Sequence, residues 1–248
     1  MKKLLEIKNI SKNYHTLNGE IEAIDNINLS VYKNEFISIV GSSGSGKSTL
    51  LNILADLDTP SNGSIIKPNN IIISYMLQDD ALFPWLNILD NASLGLKITK
   101  KNTKENIEYV KYLLKKYGLE EFIYKYPYEL SGGMKKRVAL IRTLAIKPDI
   151  LLLDEPFSAL DYQSRLAVAD DVYKIIKQEK KTVIMITHDI AEALALSNRV
   201  VVFSSRPAVI KNIYDIKLDK IDIPSRNRKD KKFFYYYDLI WKDLDKFV

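Results

Sequence analysis

Three short segments carry residue types and spacings that suit phosphate chemistry. Residues 41–48 read Gly-Ser-Ser-Gly-Ser-Gly-Lys-Ser, residues 130–134 read Leu-Ser-Gly-Gly-Met, and residues 151–156 read Leu-Leu-Leu-Asp-Glu-Pro. The first predicts a phosphate loop, and the second, which opens a predicted helix, is another candidate anion site. One nucleotide rarely needs both, so we interpret the second as serving a nucleotide on another copy of the chain. This predicts a dimeric ATPase in which hydrolysis is linked to opening and closing.

The phosphate loop matches the pattern Gly-x-x-x-x-Gly-Lys-Ser in full. It lies between an apolar run at residues 36–40, predicted to be a strand, and a predicted helix over 47–57. In such a loop Lys47 reaches the β- and γ-phosphates and the Ser48 hydroxyl binds magnesium. The alternative, a glycine-rich turn that only precedes a helix, does not explain the Lys-Ser pair. We therefore predict ATP and Mg²⁺ as the ligands.

Carboxylates and a histidine follow two other apolar runs. Asp154 and Glu155 end one run, and His188 follows the run at residues 183–187. The carboxyl ends of parallel strands form the ligand-binding edge of an α/β sheet. Asp154 then suits magnesium binding, Glu155 suits the base that orients water, and His188 suits a γ-phosphate contact. The alternatives are an exposed acidic pair and a histidine that caps the next helix.

Composition restricts the class of protein. The 248 residues are 46% hydrophobic and 27% charged, typical of a globular chain. With no cysteine and two histidines, thiolate and zinc clusters are excluded, and oxygen ligands point to magnesium. No apolar run reaches the ~20 residues that cross a bilayer, and the start lacks a signal-peptide core, so we expect a cytosolic chain. We give the net charge of +6 little weight, because many residues have AT-rich codons.

The distribution of apolar residues predicts an α/β fold. Helical patterns alternate with apolar runs at residues 36–40, 150–153, 183–186 and 200–203, as in a parallel sheet with crossover helices. Between about residues 79 and 147 only helical patterns occur, which predicts an inserted helical subdomain within a single domain spanning residues 1–248. One of its helices is framed by Thr103 as the cap and Gly118 as the end, with an apolar stripe of Ile107, Val110, Leu114 and Tyr117.

The tail from Arg226 is basic and then aromatic, and predicts a helix over about residues 230–247. Its apolar residues fall on one helical face: Phe233, Tyr237, Ile240, Trp241 and Leu244. Basic and aromatic residues together suit nucleic acid or a membrane surface. We favour a helix that packs on the core, because a single stripe is sufficient for that role.

Taken together, the motifs resemble the ATPase subunit of an ABC transporter over nearly the whole chain. The resemblance implies a phosphate-loop core with a parallel sheet, an N-terminal antiparallel β part and an inserted helical subdomain. The resemblance implies that Gln78 contacts magnesium, although a single glutamine is weak evidence by itself. It also implies that Tyr14 stacks on adenine, although a tyrosine there could simply pack against the protein. The implied nucleotide-contacting residues are Tyr14, Gly41, Ser42, Ser43, Gly44, Ser45, Gly46, Lys47, Ser48, Thr49, Ser131, Gly132, Gly133 and Asp161, and the implied catalytic residues are Glu155, His188, Gln78 and Lys47.

The family's mechanism comes with the resemblance. Two identical copies pair head to tail with ATP between the phosphate loop of one and Ser131 and Gly133 of the other, and the helix at residues 135–145 directs its positive end at the γ-phosphate. The chain would sit at the cytoplasmic face of the cell membrane on permease subunits, served indirectly by a solute-binding protein. Two residues depart from the family pattern: Met134 replaces Gln, and Asp56 replaces Gly. We expect small effects from both.

Residues 78–87 and 201–207 resemble the importers of nitrate, sulfonates, taurine and related solutes, a group in which some members carry thiamine-precursor pyrimidines. Residues 83–86, Phe-Pro-Trp-Leu, would then meet the permease, although packing inside the helical subdomain is the simpler alternative. The competing function is a soluble ABC-type ATPase acting on nucleic acid or ribosomes. The chain lacks the coiled-coil insertion and the second ATPase domain typical of those proteins, so we expect no nucleic-acid partner. A non-hydrolysing nucleotide sensor is disfavoured by Glu155 and His188.

Overall fold

The strands form two sheets in the computed structural model, which describes residues 2–17, 19–158, 160–219 and 222–245. The strands are β1 (Lys3–Thr16), β2 (Gly19–Tyr32), β3 (Phe36–Val40), β4 (Asn62–Ile66), β5 (Ile73–Met76), β6 (Ile150–Asp154), β7 (Thr182–Thr187), β8 (Arg199–Phe203) and β9 (Ile210–Asp215). The helices are α1 (Lys47–Leu54), α2 (Ile88–Ala92), α3 (Leu94–Ile98), α4 (Lys104–Lys116), α5 (Gly132–Ala145), α6 (Tyr162–Gln178), α7 (Ile190–Leu196), α8 (Pro224–Asn227) and α9 (Lys231–Asp245).

The larger sheet has the strand order β5-β6-β7-β3-β8-β9. Its strands are parallel except for β9, which runs antiparallel to β8. All five residues of β3 and of β6 are buried, because both faces of this sheet are covered, as is usual for parallel sheets, one by helices and the other by α1 and the second sheet. The predicted parallel α/β core is therefore confirmed. The carboxyl ends of β3, β6, β7 and β8 meet at one edge of the sheet.

A smaller antiparallel sheet, in the order β2-β1-β4, flanks this core. Its inward residues share one apolar cluster with β3 and α1, which includes Leu5, Ile24, Ile39 and Leu50. A bridge between Ile24 and Ala208 ties β2 to the loop that follows β8. The N-terminal antiparallel part implied by the family resemblance is thus confirmed.

Helices α2 to α5 lie between the strands β5 and β6 and have a common apolar core. In α4, Val110 and Leu114 are fully buried, and Ile107 and Tyr117 pack beside them. The Thr103 side chain accepts a hydrogen bond from the Asn106 N–H at the start of this helix. Gly118, at φ +73°, follows its end. The predicted cap, stripe and stop of α4 are confirmed.

Three boundaries differ from the sequence prediction. Helix α1 ends at Leu54 rather than at residue 57, because Asp56 adopts φ +57°; Leu57 is consequently exposed. Helix α5 begins at Gly132 rather than at residue 135, because Ser131 already caps it. The turn predicted over residues 58–63 is shorter, since β4 begins at Asn62.

The tail helix α9 packs on α7 and β8, where Phe233 and Ile240 are buried and Tyr237 and Leu244 are partly buried. Trp241 was predicted on this stripe but is 51% exposed, since it lies at the edge of the contact. Residues 246 and 247 of the predicted helix fall outside the described residues. Within the described ranges, no helix combines the length and apolarity that a membrane span requires.

Replacing Asp56 tests the left-handed turn that ends α1. Both Asp56→Gly and Asp56→Ala remove the exposed ion pair with Lys67, which contributes little. Glycine adopts φ +57° freely, whereas alanine is strained there. We expect the alanine variant to be about 1 kcal/mol less stable than the glycine variant in urea unfolding. Equal stabilities of the two variants would show that this residue does not adopt the left-handed conformation.

Candidate nucleotide site

The phosphate loop joins β3 to α1, and its path requires two of its glycines. Gly44 has φ +74° and Gly46 has φ +98°, values that favour glycine. A Cβ atom on Gly46 would lie 2.6 Å from the Ala23 carbonyl oxygen of β2. The loop is therefore pressed against the small sheet, and its backbone cannot relax away from the cavity.

Lys47, the first residue of α1, is only 5% exposed. Its Nζ donates hydrogen bonds to the carbonyl oxygens of Gly41 (2.9 Å) and Ser42 (2.7 Å), and lies 3.4 Å from Ser45 Oγ. Burial lowers the pKa of Lys47, and the charges of Glu155 and Asp154 oppose that shift. The ammonium is thus a buried cation aimed at the phosphate-binding side of the loop.

Asp154 ends β6 in register with Ile186 of the neighbouring strand. The Tyr75 hydroxyl donates a 2.8 Å hydrogen bond to Asp154 Oδ2. Burial raises the pKa of Asp154, while the Tyr75 hydrogen bond acts in the opposite direction. Tyr75 was not identified from the sequence, because its contact with Asp154 spans 79 positions and only strand pairing brings the two together.

Glu155 and His188 contact each other at the ends of adjacent strands. His188 Nδ1 lies 3.0 Å from Glu155 Oε2. Glu155 has φ +40°, and its N–H donates to the Ile186 carbonyl. The alternative role of His188 as a helix cap is not observed, since the Asp189 side chain accepts the bond from Glu192 N–H at the start of α7.

These groups surround one cavity of about 500 Å³. Gln78 also lies on its wall, with its side-chain amide 3.4 Å from Ser158 Oγ and its carbonyl bonded to Lys136 Nζ at 2.6 Å. The lining residues are Ser43, Gly44, Ser45, Gly46, Lys47, Ser48, Thr49, Gln78, Asp154, Glu155, His188 and Arg206. Loop residues, strand-end acids and the histidine, predicted separately from the sequence, thus lie in one place.

The Ser-Gly-Gly segment lies elsewhere, since Ser131, Gly132 and Gly133 are absent from the described residues that line this cavity. Ser131 caps α5 by accepting a 3.3 Å hydrogen bond from Met134 N–H. Asp161 caps α6, and this hydrogen bond from Ser164 lowers the pKa of Asp161. Ala159, between the cavity and this cap, is outside the described residues. Within one chain the two predicted anion sites are therefore separate.

Tyr14 also lies off the cavity wall. Its hydroxyl donates to Asp58 Oδ2 at 2.8 Å, and Lys12 Nζ lies 4.9 Å from its ring centre. Burial raises the pKa of Tyr14, and Thr49 of α1, just after the phosphate loop, acts in the opposite direction. The ring is thus next to the loop but partly covered. Its predicted stacking on adenine stays a prediction.

Arg206 lines the cavity but was not among the sequence candidates. Its Nε and Nη2 donate to the Gly44 carbonyl oxygen at 3.2 and 2.9 Å. The available signal was its position three residues after the apolar run at 200–203, which places it at the same sheet edge as His188. The sequence prediction assigns residues 201–207 a resemblance to the importer group and gives Arg206 no role of its own.

The oxygen donors at this edge fit magnesium. Asp154, the Ser48 hydroxyl and Gln78 all line the same cavity. Over the described ranges, no group of three or more His, Cys, Asp or Glu side chains could hold a metal by itself. Mg²⁺ commonly binds through one or two protein oxygens together with phosphate and water, so this sparse donor set suits it.

A parallel sheet with a phosphate loop, two strand-end acids and a histidine on one cavity defines a phosphate-loop nucleotide hydrolase. The sequence profile of the ABC transporter family matches residues 24–158, more than half of the chain. The chain belongs to this family and is an ATP-binding, ATP-hydrolysing subunit.

Relatives align along most of the chain. An uncharacterised ABC transporter ATP-binding protein of Methanocaldococcus jannaschii is 43% identical over 95% of this chain and 89% of its own length. The nitrate import ATP-binding protein NrtD of Synechocystis is 39% identical over 95% and 93%. The aliphatic sulfonates import ATP-binding protein SsuB of Bacillus cereus is 38% identical over 86% of both chains.

Among solved structures, the ATP-binding cassette MJ0796, a dimer bound to ADP and phosphate, matches with a TM-score of 0.73. It is 32% identical, and the match covers 86% of this chain and 99% of that one. The predicted fold class and family are therefore confirmed.

Asp154→Asn tests whether this buried carboxylate is kept for a cation. Because folding raises the pKa of Asp154, the ionised carboxylate lowers stability at pH values above that pKa, and asparagine avoids this cost. We expect the variant to melt at an equal or higher temperature, by up to about 4 °C, and to lose magnesium-dependent ATP binding. The exposed Asp238→Asn is the control and should change neither. A large fall in melting temperature would contradict a cation-binding role.

Proposed function

We propose that the protein energises import of a small solute through a separate membrane permease, by hydrolysing magnesium-bound ATP between two copies of the chain. The observation that carries this proposal is the separation of two anion sites. Lys47, Asp154, Glu155 and His188 share one cavity, whereas Ser131 lies outside it. A head-to-tail pair would place Ser131 of one copy over the cavity of the other.

The proposed chemistry follows from the cavity wall. Lys47 and the N–H groups of the phosphate loop bind the β- and γ-phosphates. Ser48, Asp154 and Gln78 would hold magnesium, which would neutralise phosphate charge when bound. Glu155 orients the attacking water and accepts its proton. His188, 3.0 Å from Glu155, fixes that carboxylate and faces the terminal phosphate.

The second copy would complete each site. Helix α5 has 14 residues, and its positive N-terminal end attracts anions. The groups at that end are the Ser131 hydroxyl and the N–H groups of Gly132 and Gly133. ATP then holds the two copies together, and loss of the γ-phosphate removes the bridging charge and lets them separate. Asp161, at the start of α6, would lie at the same interface.

A permease contact is proposed at the loop of residues 83–86. Trp85 is 69% exposed and its ring centre lies 5.1 Å from that of Phe83. The buried Asn91 side chain holds this loop, since it accepts from Phe83 N–H and donates to carbonyl oxygens of residues 83, 86 and 87. An exposed aromatic pair on a rigid loop is typical of a protein-binding site.

We also propose that residues 79–147 form an inserted subdomain that transmits permease contact to Ser131. The chain would bind peripherally at the cytoplasmic face of the membrane. The solute class, nitrate or a sulfonate such as taurine, is supported by the named functions of relatives. An extracytoplasmic solute-binding protein would complete such an importer.

Glu155→Gln tests the ATP-bound dimer. The amide keeps the shape of the side chain but cannot accept a proton from water, so ATP should remain unhydrolysed between two copies. We expect the variant to form dimers with ATP but not with ADP, measured by light scattering coupled to gel filtration. Adding Ser131→Ala should weaken this dimer, whereas the exposed Glu108→Gln should leave the wild-type behaviour. A variant that stays monomeric with ATP, both alone and with the permease, would argue against the mechanism.

Trp85→Ala tests the permease contact. Since Trp85 is mostly exposed, its loss should leave the fold and ATP binding intact but reduce recovery of a multi-span membrane protein by about tenfold or more in affinity purification from native membranes. The exposed Trp241→Ala on α9 is the matched control and should recover the permease normally. Equal loss of ATP binding and of assembly would indicate a folding role. Recovery of wild-type protein with ribosomes or DNA alone would support the competing function.

A further inference from the structure

Arg206 is placed at the phosphate loop by a well-ordered turn that follows β8. The Ser204 hydroxyl organises this turn, since it accepts from Val209 N–H at 2.9 Å and lies 2.8 Å from the Ser205 carbonyl oxygen. Ala208 is bonded on both sides to β2, with its N–H donating to Ala23 and its carbonyl accepting from Asp25. The backbone that carries Arg206 is therefore fixed.

The same β2 carbonyl, that of Ala23, lies against Gly46 of the phosphate loop. The turn and the loop are thus held by one strand, and this sets the distance between Arg206 and the loop. The guanidinium spans that distance, with Nε and Nη2 both donating to the Gly44 carbonyl oxygen. These bonds use one edge of the guanidinium fork.

The other edge of the guanidinium is available to a ligand. Within the described ranges, Arg206 forms no ion pair with a carboxylate, and its Nη1 atom has no hydrogen-bond partner. The side chain nonetheless lines the cavity that contains Glu155 and His188. An arginine that is always charged, held along one edge and open along the other, is suited to binding phosphate oxygens.

We infer that Arg206 binds the terminal phosphate of ATP and so makes the site prefer ATP over ADP. Both Lys47 and Arg206 line this cavity, so the guanidinium is a second source of positive charge for the phosphates. A diphosphate lacks the phosphate group that stands beside Glu155 and His188, and would gain less from the guanidinium. The inference rests on the proposed nucleotide site and adds a residue that discriminates between substrate and product.

The test measures ATP and ADP binding by displacement of a fluorescent nucleotide, with magnesium, at protein concentrations where the chain is monomeric. Glu155→Gln serves as the background so that ATP remains intact. We expect Arg206→Ala to raise the dissociation constant of ATP about tenfold, equivalent to about 1.4 kcal/mol, and that of ADP less than twofold. Arg206→Lys keeps the charge but not the fork, so its dissociation constant for ATP should lie between those of the Arg206 protein and the Arg206→Ala variant.

Two further variants separate the possible results. Arg226, exposed on α8 and paired with Asp222, is the matched control, and its change to Ala should leave both constants unaltered. Lys47→Ala should weaken both nucleotides; if it weakens neither, the proposed nucleotide site itself is wrong. Suppose instead that Lys47→Ala weakens the binding of both nucleotides. If Arg206→Ala then weakens ATP and ADP binding equally, Arg206 only steadies the loop, and if it weakens only dimer formation, Arg206 contacts the second copy. Either result overturns the inference.

Discussion

The buried ammonium of Lys47 is the interaction on which the nucleotide site depends. A buried charge is tolerated only when it is hydrogen-bonded and compensated, and here two loop carbonyls and a serine hydroxyl surround it. The loop can direct those carbonyls inward because Gly44 and Gly46 adopt left-handed conformations. The order β6-β7-β3-β8 then brings the acids of β6 and the histidine of β7 to the same edge. Sheet order and loop geometry together therefore compensate the buried charge of Lys47.

The Ser-Gly-Gly segment, predicted to be the second anion site, has its own packing constraint. A Cβ atom on Gly133 would lie 2.8 Å from Val168 Cγ2 of α6, and one on Gly132 would lie 3.3 Å from Leu160 Cδ2. The glycines at the start of α5 therefore permit close contact with neighbouring segments as well as exposing backbone N–H groups. At the far end of α6, Glu179 accepts hydrogen bonds from Tyr117 and Lys116 of the α2–α5 region. The position of Ser131 is consequently set by packing at both ends of α6.

Sequence patterns were sufficient where local chemistry determines structure. The continuous apolar runs predicted strands β3, β6, β7 and β8, and the capping residue and the glycine predicted the ends of α4. Neither kind of signal depends on residues distant in the sequence. The pattern failed at the end of α1, where Asp56 takes a left-handed conformation that the apolar stripe does not reveal. It also missed Tyr75 and Arg206. Both act through partners brought close only by strand pairing, Asp154 at a separation of 79 positions and Gly44 at 162, and one-dimensional spacing carries no information about such contacts.

Glu155 shows how the fold maintains a conformation that its residue type disfavours. A non-glycine residue at φ +40° is strained by about 1–3 kcal/mol, and the carboxylate is thus retained despite that cost. Backbone bonds hold the residue on both sides, since its N–H donates to Ile186 and its carbonyl accepts from Ser158 Oγ at 3.0 Å. The contact with His188 then fixes the side chain over the cavity. A glycine would relieve the strain but remove the carboxylate that the proposed mechanism uses to orient water.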